Sequence, residues 1–132
     1  MSYGRTIELP IPYDDAVARV KDAFKEEGFG TLTEIDVKKT LKEKLNAEME
    51  DYVILGACNP QLAQRALDVD KEIGLLLPCN VVVRRAGGKT LVHALDPGIM
   101  VTVTGRTELK PIAAEASRRI DATMHKLAAG SL

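Results

Sequence analysis

Tryptophan is absent from the chain, and only five aromatic residues occur, three Tyr and two Phe. That scarcity argues against a stacking platform for single-stranded nucleic acid. Lys and Arg number 18 against 19 Asp and Glu, so there is no net field to gather polyanions, and nucleic-acid binding is disfavoured. Two cysteines, Cys58 and Cys79, are too few for the disulfide framework of a small secreted domain. They do not form a Cys-x-x-Cys motif, and His93 and His125 are isolated, without zinc-ligand spacing. The most apolar stretch, 73–83, is broken by Pro78 and Asn80 and is too short to cross a bilayer. Met1-Ser2-Tyr3-Gly4-Arg5 does not have the basic start and apolar stretch of a leader. No membrane association is expected, and the expected location is cytoplasmic, where thiols stay reduced.

What is present is the composition of an ordinary globular domain, 45% apolar and 28% charged over 132 residues. A chain of this size is read as one domain over 1–132, able to bury roughly two-thirds of its unfolded surface without staples. No repeat, low-complexity stretch or linker divides it.

Ile7, Leu9 and Ile11 alternate with Thr6, Glu8 and Pro10, the pattern of a strand with one buried face. Asp14 and Asp15 then open a helix whose Val17, Val20 and Phe24 recur at helical spacing up to Gly28. Residues 31–35 read as a short strand. Asp36 caps a second helix bearing Val37, Leu41 and Leu45 on a stripe and ending at Asn46. Its lysines are interleaved with acids, which marks a solvated face. Residues 52–57 are an apolar run expected to be a buried strand, followed by a helix from Asn59-Pro60. Residues 75–84 and 90–95 read as strands joined by the Ala86-Gly87-Gly88-Lys89 turn. Residues 99–104 are ambiguous: Val101 to Thr104 favour a strand, and Asp96-Pro97 favours a helix start. From Pro111, Ala113, Ala116, Ile120, Met124 and Leu127 trace the buried stripe of a last helix. Strands joined by hairpins beneath helices point to an α+β fold, an antiparallel sheet with helices packed on one face.

Chemistry is expected at Cys58 and Cys79, each followed by asparagine in apolar sequence. Cys58 precedes a helix start, with Asn59 as N-cap, a position that lowers a thiol pKa. Cys79 opens the next strand. If the two strands are antiparallel neighbours, their sulfurs are expected to meet at one edge. Three uses compete: packing, since free cysteine is often a small apolar filler; a redox couple in which Cys58 attacks and Cys79 resolves; and a soft-metal site with Met100 as a third ligand. Asn59 and Asn80 are the expected orienting groups. His93 reads as a packed or edge residue and His125 as exposed, so no general base can be assigned to either thiol, and an enzyme is the less favoured reading. A small molecule or a soft metal ion is the expected partner of this site.

The motifs of the chain resemble those of a known family. Gly28-Phe29-Gly30-Thr31-Leu32-Thr33-Glu34-Ile35-Asp36-Val37, Ile54-Leu55-Gly56-Ala57-Cys58-Asn59-Pro60, Ile73-Gly74-Leu75-Leu76-Leu77-Pro78-Cys79-Asn80-Val81-Val82-Val83, and Asp96-Pro97 with Met100 are similar to the signatures of the domain of unknown function 302. The resemblance implies a TATA-binding-protein-like β-α-β4-α core with extra short helices, a helical 99–104, and self-association as a homodimer. It brings no activity. The residues around Cys58 and Cys79 themselves lead to the expectation of a binding or sensing module, with a thiol-redox protein and a structural dimerisation domain as alternatives.

Overall fold

A computed structural model describes residues 3–130. Met1 and Ser2, which open the stretch read as lacking a leader, lie outside it. Five strands, β1 (Gly4–Leu9), β2 (Gly30–Asp36), β3 (Tyr52–Cys58), β4 (Cys79–Ala86) and β5 (Lys89–Leu95), form one sheet in the order β1-β5-β4-β3-β2. Every neighbouring pair is antiparallel. Helices α1 (Tyr13–Glu26), α2 (Val37–Leu45), α3 (Pro60–Val69), α4 (Ile99–Thr104) and α5 (Lys110–Ala129) fill the connections and the C-terminal end. The expected α+β class and element order hold.

The core follows from period-2 alternation in the strands and period-3.6 stripes in the helices. Leu9, Val53, Leu55, Val81, Val83, Val92 and Ala94 are buried on one face of the sheet. Val20, Ala23 and Phe24 of α1 and Ile112, Ala116, Ile120 and Met124 of α5 are buried with them in a single cluster. Between β4 and β5, Ala86 pairs with Lys89, so Gly87-Gly88 is a two-residue hairpin turn with Gly87 at φ +62°.

Three local expectations change. The stripe Val37, Leu41 and Leu45 is not a core face, because α2 buries none of its residues and Leu45 is 72% exposed. The helix is instead defined by its ends: Asp36 Oδ1 accepts from Lys39 N–H at 2.9 Å, and Asn46 closes it at φ 53°.

Residues 75–78 are not strand. A 3₁₀ turn covers Lys71–Leu76 with Leu75 84% exposed, and a cis Leu77–Pro78 peptide leads into β4 at Cys79. Pro78 cannot donate to a ladder, so the strand starts after it.

The ambiguity at 99–104 resolves as helix α4. Asp96 Oδ1 accepts from Gly98 N–H at 2.9 Å at its entry, and Gly105 ends it at φ +70°. The Thr102 and Thr104 hydroxyls donate back to the carbonyls of Gly98 and Met100, at 3.3 and 2.6 Å. That bond is what makes β-branched threonine acceptable in a helix.

Candidate functional site

The site lies where β3 runs into α3 and the Leu77-Pro78 segment enters β4. Asn59 is the α3 N-cap: its buried Oδ1 accepts from Leu62 N–H at 3.1 Å, and Pro60 takes the first helical position. Its amide also abuts Gly28 just beyond α1. A Cβ at 28 would stand 2.8 Å from Asn59 Nδ2 and 3.0 Å from Arg119 Nη1, and Gly28 has φ +86°. A side chain is disfavoured there on both counts.

Cys58 and Cys79 are on neighbouring antiparallel strands, but they are not the close pair expected of them. The ladder sets Cys79 against Ala57 and Cys58 against Gly30. Successive strand residues point to opposite faces, so the one-residue offset turns Cys58 away from the face on which Cys79 is buried. Both cysteines are free. They share a location in a looser sense: both wall a cavity of about 30 Å³, together with Asn59 and Met100. Phe29, Leu62, Ile112 and Ala116 supply apolar wall. Cys79 is buried and Cys58 is half-buried. Asn80 is not part of this cavity. It is exposed and pairs with Gly56 on the opposite face of the sheet.

The thiols are not activated. Burial raises the Cys58 pKa above the ordinary thiol value, against the lowering expected from a helix start. Burial, with the nearby Cys58 charge adding to it, pushes Cys79 up to about 11. Neither histidine lines the cavity. Among the described residues no group of three or more His, Cys, Asp and Glu side chains is placed to hold a metal ion. Two thiols and the Met100 thioether are the donors that the cavity wall offers.

The contribution of α5 was not visible in the local sequence. Ile112 and Ala116 lie more than thirty residues beyond Cys79; the sequence stripe includes Ala116 only as part of a buried helix face and leaves out Ile112. Gly28 carried a signal in its position after an apolar helix, but its contact with Asn59 is tertiary.

A family model for a domain of unknown function, DUF302, matches residues 5–127. The chain belongs to the DUF302 family. This DUF302 domain is also similar to a solved structure described as an uncharacterized conserved protein DUF302 from Bacillus stearothermophilus. The two are 31% identical and superpose with a TM-score of 0.89, over 96% of this chain and 99% of that one. No curated protein matches the chain. Among the described residues, no helix of this DUF302 domain is long and apolar enough to cross a membrane.

Proposed function

We propose that this DUF302 domain is a binding or sensing module that takes up one soft metal ion at the sulfur-walled cavity. The observation that carries this reading is that Cys58, Cys79 and Met100 wall one space of about 30 Å³. A space of that size takes a water molecule or a single ion. It is about a tenth of the smallest ordinary small-molecule pocket. Thiolate and thioether donors in an apolar wall suit Cu(I), whereas a structural zinc site needs four nitrogen or sulfur ligands. Cys79 and Met100 are buried and provide the inner donors, and the half-buried Cys58 stands on the accessible side. Uptake replaces the thiol protons, so binding two thiolates releases two protons.

The redox alternative draws no support from the thiols, whose raised pKa values leave little attacking thiolate at neutral pH. The test is a competition titration of the reduced chain with Cu(I) against a chromophoric chelator. One equivalent should bind, Met100→Leu should weaken it, and Cys79→Ala should abolish it. Absence of binding tighter than about millimolar would sink the proposal and leave the cysteines as packing residues.

Self-association is the second part of the proposal. It is supported by β2, an edge strand that exposes Leu32 and Ile35. Sedimentation of the chain against its Leu32→Lys variant tests it, and a monomer in both would refute it.

A further inference from the structure

The outer face of the sheet, away from the α1–α5 layer, carries a second concavity of about 440 Å³, walled by Tyr3, Thr6, Tyr52, Val82, Arg84 and His93. The register explains why these side chains converge. Thr6 pairs with His93, His93 with Val82, and Tyr52 with Arg84, so the row crosses four strands on the face opposite Val81, Val83 and Val92.

Two hydrogen bonds decide the state of the imidazole. Arg84 Nε donates to His93 Nε2 at 2.9 Å, and a nitrogen that accepts carries no proton. The ring proton is therefore on Nδ1, which donates to Thr6 Oγ1 at 2.8 Å. His93 is thus a neutral group that orients the guanidinium without cancelling its charge. The carboxylate nearest to it is Glu50, 3.8 Å from Arg84 Nη1. That distance is an ion pair without a hydrogen bond. Arg84 is only 29% exposed. An oriented, partly desolvated guanidinium whose ion pair with Glu50 lacks a hydrogen bond is attractive to an oxyanion that can bond it directly, because charge-assisted bonds gain most where water is partly excluded.

The remaining wall is of a different kind. Tyr3, Tyr52 and Val82 present aromatic and aliphatic surface beside the charge. The volume falls in the ordinary range for small-molecule sites, in which a largely apolar wall surrounds a few polar groups that set orientation. We propose that this concavity binds a small organic carboxylate, with its carboxylate on the Nη edge of Arg84 and its apolar body against Tyr3, Tyr52 and Val82. The site is separate from the sulfur-walled cavity, which lies at the ends of β3 and β4, and it does not depend on metal uptake there.

The test is an NMR titration of the intact chain with sodium benzoate, following the imidazole resonances at constant ionic strength. Inorganic phosphate and benzyl alcohol are titrated as separate probes of the charge and of the ring. Benzoate should shift the His93 signals saturably, with half-saturation at about 1 mM or below. Exposed His125 on α5 serves as the internal reference and should not move. Phosphate should bind at least fivefold more weakly, and benzyl alcohol should give no saturable shift. Arg84→Met should weaken benzoate at least tenfold. Glu50→Gln removes the competing carboxylate and should tighten benzoate at least twofold, which loss of folding cannot imitate. A His93 response that is absent, survives in Arg84→Met, is matched by either control probe, or is unchanged in Glu50→Gln would overturn the proposal.

Discussion

Cys79 stands opposite Ala57 in the β3–β4 ladder, which leaves Cys58 one residue further along and directed to the other face of the sheet. The two thiols wall one cavity but are not a close pair and differ in burial, so in the metal-free chain their reactivities should differ.

Their reactivity should differ accordingly. Cys79 is buried and its pKa is pushed up to about 11, so a neutral-pH alkylating agent should label Cys58 first and Cys79 only on unfolding. Mass spectrometry of the native chain after mild peroxide should find no Cys58–Cys79 disulfide. Equal labelling rates, or a disulfide formed without denaturant, would contradict the packing described for these residues.

Asn59 should matter more for the fold than its solvent-facing counterpart in sequence. Its side chain satisfies the Leu62 N–H at the start of α3 while buried. Asn59→Ala should cost about 0.5–2 kcal/mol in denaturant unfolding, the usual value of an N-cap. Asn80→Ala, on an exposed position, should change stability by less than about 0.5 kcal/mol. Equal effects from the two substitutions would show that the cap contributes nothing.

Gly56 is a packing requirement. A Cβ there would run into the Thr33 hydroxyl and come within 2.8 Å of the Pro78 ring. Gly56→Ala should destabilise by about 1–3 kcal/mol, as overpacking does. Thr33→Ala in the same chain should recover part of that loss, which a double-mutant cycle would measure.

The His93 environment makes a pH-dependent contribution. Burial, and secondarily the Arg84 charge, lower its pKa below the ordinary imidazole value of 6.5. The unfolded chain thus takes up the proton first as the medium is acidified. The contribution of His93 is present above pH 6.5 and is lost as the pH falls from there to the folded-state pKa. Unfolding of the chain and of His93→Gln, compared at about pH 5 and about pH 8, should show a smaller difference between the two pH values in the variant. An equal difference in both would refute this.

Much of the fold was legible because its signals are local. Asp36, Asn59-Pro60, Gly28 and Gly87-Gly88 act on their own backbone as caps, stops and turns, and the structure uses them in those roles. The stripe of α5 and the alternation of β1 likewise mark a buried face without reference to what covers it. Where local signals conflicted, at 99–104, the outcome depended on bonds from threonine hydroxyls to carbonyls one turn back. Propensity alone does not count such bonds.

The sequence by itself determined that the chain carries two isolated thiols next to asparagines, and that each stands at the junction of a strand with another element. It also determined that Asn59 would cap a helix. Only the tertiary structure decided which face each cysteine occupies, because a shift of one residue in register exchanges the two faces of a strand. It also brought Met100 and the α5 side chains to the same cavity and excluded Asn80 from it. The Thr6–His93–Arg84 row has the same origin. Arg84 and His93 belong to one hairpin, and cross-strand register brings Thr6 of β1, 87 residues from His93, beside them.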